Sequence, residues 1–176
     1  QKTAYEIMPS LVGSEMCIRD SVGYIDEVDE RILRNYRLDI GDILFSHINS
    51  DPHLGKTAVY TGYPPVLLHG MNLLRIKPNP QYVLPSFLNC IFKWYRSNGV
   101  FIRIAQRAIG QSSISQTKLK NLEIPFPPLP EQRRIVAYLD QVQARVTALQ
   151  KAQETTEAEL HRLEQAILGK AFRGEL

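Results

Sequence analysis

At 176 residues, 44% hydrophobic and 22% charged, the chain has the balance of a soluble folded protein, with room for one ordinary domain and an appendage. No apolar run approaches the roughly 20 residues of a membrane-spanning helix, and the start shows no basic segment followed by an apolar signal core. The net charge of +3 is unevenly spread: no Asp or Glu occurs between Asp51 and Glu123, whereas Lys56, Arg75, Lys77, Lys93, Arg96, Arg103, Arg107, Lys118 and Lys120 all do. Such a span at average composition would hold about eight carboxylates. Without local acidic partners these cations face either plain solvent or an anionic ligand, and the second reading points to a polyanion such as DNA or RNA. Cys17 and Cys90 form no disulfide framework, so a reducing cytoplasm is the expected compartment.

The first segment, "QKTAYEIMPSLVGSEMCIRDS" at residues 1–21, has neither helical nor strand periodicity. It resembles translated sequencing-adapter read-through. It is expected to be a non-native leader, the alternative being a native but weakly ordered N-terminus, and is left out of the fold argument. From Tyr24 to Lys77 the pattern is β-like. "GDILFSHI" (Gly41 to Ile48) and "TAVYTG" (Thr57 to Gly62) are short runs of β-formers punctuated by glycine, with the polar loop "NSDPHLGK" between them. "VLLHGMNLLRIKP" (Val66 to Pro78) predicts a strand pair or a bulged strand with its irregular point at Gly70.

The period then changes. Phe87, Leu88, Ile91, Phe92 and Tyr95 recur at helical spacing in "LPSFLNCIFKWYRS", with Pro85 in the first turn. "GVFIRIAQRAI" is a short element of undecided type, "SQTKLKNL" a short helix capped by Ser115, and "EIPFP" a closing strand. Together these predict a mixed α/β domain over residues 22–125.

The prolines of "PFPPLP" exclude helix and favour a stiff extended joint at residues 126–130, expected to fix the angle at which the following element leaves the domain. A proline-module ligand is the other reading of "PPLP". Beyond it Ile135, Leu139, Val142, Val146, Leu149, Gln153, Thr156, Leu160, Leu163 and Ile167 alternate spacings of four and three, the heptad pattern of a coiled coil. A helix over 131–168 would be roughly 57 Å long, too long to lie on a small domain, so most of it must project. Its apolar seam needs a partner. Gln153 and Thr156 either set register or leave the seam loose. Gly169 and Gly174 mark the exit into a tail at 169–176.

"GDILFS", "GKTAVY", "GQSSISQTKLKNLEIPFPPLPEQRRIVAYLD" and the ending "LEQAILGKAFRGEL" together resemble the specificity subunit of type I restriction–modification systems, over residues 22–176. The resemblance implies a DNA target-recognition domain followed by a long projecting coiled-coil spacer helix. In that family a recognition domain reads one half of a split sequence in double-stranded DNA. Paired antiparallel spacer helices separate two such domains and dock the modification subunits, which methylate adenine; a restriction subunit joins the complex. S-adenosylmethionine, Mg²⁺ and ATP would belong to those partners, leaving this chain without a cofactor. Family members carry two recognition domains and two spacers, and this sequence has one of each. The expectation is the C-terminal half of a longer subunit or a half-subunit that dimerises.

On that reading Lys56, Arg75, Arg103, Arg107, Lys118 and Lys120 are the phosphate candidates. Gln111, Ser112 and Ser113 in one loop, with His47, Asn49, Ser50 and His53 in another, are the candidates for base edges. Ordinary turn chemistry is the competing account of each loop residue taken singly. Ile135, Leu139, Val142, Val146, Leu149, Leu160, Leu163 and Ile167 are the helix-pairing and partner-docking positions.

A catalytic role finds no support. "NPQY" (Asn79 to Tyr82) lacks the second proline of the adenine-methyltransferase motif and no glycine-rich cofactor loop precedes it, so it reads as a turn. His47, His53, His69 and His161 lack metal-ligand spacing, and the basic span has no carboxylates for Mg²⁺. Two other classes stay open: a coiled-coil scaffold without DNA readout, and a stand-alone methyltransferase fragment.

Overall fold

The computed structural model describes residues 29–175 in full and the backbone of residues 5–8 and 23–25. Of the leader expected at 1–21, only the strand Tyr5–Met8 falls within the described residues. The chain divides into two compact units, Gln1–Arg133 and Arg134–Leu176.

The first unit is mixed α/β, with three small sheets among the described residues. β1 (Tyr5–Met8) pairs antiparallel with β2 (Gly23–Ile25) and parallel with β6 (Leu67–His69). The central sheet sets β3 (Ile43–Ser46) between β5 (Thr57–Val59) and β7 (Leu73–Ile76), both antiparallel to it. The third sheet sets β9 (Gln111–Ser113) between β4 (Ile48–Asn49) and β8 (Gln106–Ala108). "VLLHGMNLLRIKP" does supply two strands, but they join different sheets, parted at Gly70 and Met71.

β3 is buried on both faces, which is why "ILFS" reads as a continuous apolar run. Leu44 joins Leu38, Tyr60, Leu67 and Leu73 on one side. Phe45 meets Phe101 edge-on at 5.0 Å and Phe92 at 5.8 Å. Those rings come from the predicted helix α2 (Pro85–Ser97) and from α3 (Val100–Ile104), the element left undecided above. Gly55 comes so close that a Cβ there would stand 2.3 Å from Phe101 Cδ2, at a φ of +71°. Only glycine satisfies both conditions.

Two expectations fail. Residues Glu30–Tyr36 form a helix, α1, inside the stretch read as β-like; Asp29 caps it by accepting from the Arg31 amide at 3.1 Å. "EIPFP" joins no sheet, because Pro125 and Pro127 have no N–H to give a ladder. Its Glu123 carbonyl instead accepts from the Tyr95 hydroxyl. The predicted cap is present: the Ser115 hydroxyl accepts from the Lys118 amide at the start of α4 (Gln116–Lys120).

The long helix, α5, runs Leu129–Phe172, starting inside the proline joint with Pro130 in its first turn. Gln132, fully buried, belongs to the first unit. Its amide donates to the Tyr82 and Pro127 carbonyls, each at 2.8 Å, and accepts from the Leu84 amide at 2.9 Å. One side chain thereby ties the first turn of α5 to the proline joint and to the residue that caps α2.

In the second unit the helix is continuous to Phe172, and the heptad series lies along it. Leu139, Val142, Val146, Leu149, Leu160, Leu163 and Ile167 are all exposed in the single chain, while Ile135 is half-buried. The Thr156 hydroxyl donates to its own helix, to the Ala152 carbonyl at 3.0 Å. The seam position therefore presents its methyl without an unpaired hydroxyl.

Candidate nucleic-acid interface

The sheet β4–β9–β8 assembles segments some sixty residues apart and carries five of the candidate polar side chains, Asn49, Arg107, Gln111, Ser112 and Ser113. Asn49 and Arg107 both stand opposite Ser112, so one row across the sheet reads Asn49, Ser112, Arg107. The next row holds Ile48, Ser113 and Gln106. Residues of one row share a face. Every residue of β8 is exposed, as are Ile109 and Gly110 in the turn that follows and Gln111 at the start of β9.

Ser50 follows β4, and its carbonyl accepts from the His53 and Leu54 amides at 2.9 and 3.0 Å. His47 lies at the other end, where its carbonyl accepts from the Ile114 amide at 2.8 Å and its Nε2 lies 3.2 Å from the Met71 carbonyl oxygen. The Asn49 side-chain amide donates to the Ser46 hydroxyl at 3.1 Å. His47, Asn49, Ser50, Arg107, Gln111, Ser112 and Ser113 thus form one neighbourhood.

The remaining cations are placed differently. Arg75 and Lys120 share, with Lys77, the lining of a cavity of about 530 Å³ floored by Leu74, Leu88, Phe92 and Leu119. The Arg75 guanidinium donates to the Arg37 carbonyl. Arg103 donates to the Asn98 carbonyl at 2.8 Å, beyond the end of α2, and Lys118 to the Ile104 carbonyl at 2.7 Å, the last residue of α3. Cations belong at such termini, where unpaired carbonyls gather. Lys56 is half-buried, and that burial, with Arg96 nearby, holds its ammonium below the usual lysine value.

The acid-free span is not without acidic partners, because two carboxylates that precede it in sequence fold onto it. Lys77 pairs with Asp39 at 2.6 Å and holds that carboxyl below the usual range. Asp51 accepts from the Ser112 hydroxyl, and its other oxygen lies 4.0 Å from Arg107 Nε. Sequence reasoning passed over Asp51, since Ser112 and Arg107 follow it by more than fifty residues and no local pattern joins them. Among the described residues no cluster of His, Cys, Asp and Glu could hold a metal ion, and no helix is long and apolar enough to cross a membrane.

Residues 29–160 match the family described as type I restriction modification DNA specificity domain. The chain belongs to this family. The match takes in the α/β unit from α1 onward and most of α5. A type I restriction enzyme specificity subunit of Methanocaldococcus jannaschii, MjaX, is 42% identical over 151 residues, which are 86% of this chain and 35% of that protein. The EcoKI specificity subunit of Escherichia coli is 28% identical over 163 residues, covering 88% of this chain and 35% of its own length. The solved HsdS subunit of Thermoanaerobacter tengcongensis superposes with a TM-score of 0.56 at 38% identity, over 80% of this chain and 31% of that one. A chain from a study of assembly and conformational transition in the type I R-M system gives 0.65 at 39% identity, over 81% and 33%. This specificity domain therefore spans about a third of the relatives it matches.

Proposed function

We propose that this chain supplies sequence recognition to a type I restriction–modification complex and performs no chemistry itself. The first unit reads one half of a split target in double-stranded DNA. A modification subunit methylates adenine there, and a restriction subunit joins the same assembly. S-adenosylmethionine, Mg²⁺ and ATP serve those partners, and the complex acts in the cytoplasm. The supporting observation is the β4–β9–β8 sheet, in a domain of this family: three separate segments bring the Asn49 amide, the buried Ser112 hydroxyl and the exposed Arg107 guanidinium into one row. Phosphate contacts position such a surface and base-edge contacts specify it. The exposed seam of α5 supports pairing with a second spacer helix, from the same longer subunit or from a second copy.

The test is to co-express the chain with its modification subunit and map methylated adenines across host DNA by single-molecule sequencing. A split, symmetric motif is the expected result if two copies assemble. A stable complex that methylates nothing would show that a second recognition unit is required. Failure to form a complex would refute the helix as a docking element.

A further inference from the structure

The Asp51–Ser112–Arg107 arrangement sits uneasily with a plain phosphate contact. A carboxylate beside a guanidinium cancels its charge and repels phosphate, so a surface built only for backbone attraction gains nothing from Asp51. The carboxylate is also held in place. One oxygen accepts from Ser112, which is 4% exposed, and the other faces Arg107 Nε at 4.0 Å. The four N–H donors on the terminal nitrogens of a guanidinium lie beyond its Nε. An acid fixed behind an arginine restricts where that planar fork points, which matters for a bidentate acceptor and little for a point charge.

The carrier of this arginine has the shape of a reading element. β8 and β9 form a hairpin whose inner strand also pairs with β4; its outer strand is exposed throughout, and Ile109 at its tip is fully exposed. A Cβ added at Gly110 would meet nothing within 4 Å. A two-stranded ribbon fits the major groove, where guanine offers O6 and N7 to a bidentate arginine. Gln106 and Gln111 lie in the rows before and after Arg107, on the other face of the same hairpin.

We propose that the β8–β9 hairpin enters the major groove and that Arg107, oriented by Asp51 and Ser112, reads a guanine of the half-site. This rests on the DNA-recognition reading above and goes further by assigning a base. The experiment measures binding of the subunit–modification complex to a library of duplexes varied at each half-site position, over a salt titration, for wild type, Arg107→Ala, Arg107→Lys and Asp51→Asn. Arg107→Ala and Arg107→Lys are both expected to lose discrimination at one G·C pair by roughly 5- to 150-fold, the contribution of one bidentate pair. The lysine variant is expected to keep the wild-type salt slope. Asp51→Asn is expected to weaken discrimination at that same pair while binding unrelated duplex at least as well.

A uniform loss of affinity in Arg107→Ala, with the salt slope reduced by about 0.9 and full rescue by lysine, would make Arg107 a phosphate contact and overturn the assignment. Unchanged binding in all three variants would remove the hairpin from the interface. If the wild-type complex shows no sequence preference, the recognition reading itself falls.

Discussion

Replacing Gln132 with alanine tests how the unit around α2 is closed. The amide is fully buried and makes three hydrogen bonds, to Leu84 N, Tyr82 O and Pro127 O. Truncation leaves one N–H and two carbonyls without that partner at a part-buried site. A single orphaned buried group costs about 1–3 kcal/mol, and carbonyls relax more readily than amides, so about 3–5 kcal/mol is expected for the three together. That is a large fraction of the about 5–15 kcal/mol that keeps a domain folded. The chain's one tryptophan, Trp94, lies on α2, so its fluorescence in a urea titration reports on the unit directly. With a slope of about 2 kcal/mol per molar urea, the midpoint should fall by about 1.5–2.5 M. Gln132→Glu should rescue little at neutral pH, since it keeps an acceptor for Leu84 but aims an oxygen at two carbonyls. It should improve on acidification, when the protonated acid can donate once. A midpoint within about 0.3 M of wild type for Gln132→Ala would show that the amide network is not what closes this unit.

Gly55→Ala combines a backbone held at φ +71° with a Cβ aimed at the Phe101 ring, and a loss of about 2–4 kcal/mol is expected in the same titration. Burial holds the His69 imidazole below its usual value, beside Tyr36 at a ring separation of 5.1 Å. The unfolded chain therefore binds a proton first. Stability should fall as pH drops from about 6.5 toward the lower folded-state value, and His69→Asn should flatten that part of a melting-temperature profile. Leu160→Glu with Leu163→Glu places charge on an exposed seam, so sedimentation should show loss of helix pairing while the Trp94 titration stays within about 0.5 kcal/mol of wild type.

What was legible in the sequence is what rests on local periodicity or on a single-residue signal. α2 shows its buried Phe87, Leu88, Phe92 and Tyr95 at helical spacing, α5 repeats its heptad several times, and Ser115 caps α4 where a cap was expected. α1 is seven residues long, fewer than two full turns, and gives periodicity nothing to count. The extended, apolar "EIPFP" has the look of a strand but not the amides for one. In the site, the two loops were visible as polar and glycine-punctuated. Their joining in one sheet was not, because β5, β6, β7, α2, α3 and β8 all lie between β4 and β9 in the chain. The same distance hid Asp51 from Ser112, and Gln132 from Leu84 and Tyr82. Long-range partners of polar groups leave no pattern in the chain near either residue.

The division of labour between the buried aromatic cluster and the β8–β9 hairpin bears on how such a protein can change over evolutionary time. Phe45, Phe92 and Phe101 carry the packing, while Gln106, Arg107, Ala108, Ile109 and Gln111 stand in the open between the buried anchors Phe101 and Ser112. Substitutions at open positions of this kind usually shift stability by no more than about 0.5 kcal/mol. On the reading proposed above, the residues that choose a target are thus nearly free of the constraint that holds the fold. If that reading holds, lineages carrying this scaffold can drift among target sequences one side chain at a time, each intermediate still folded.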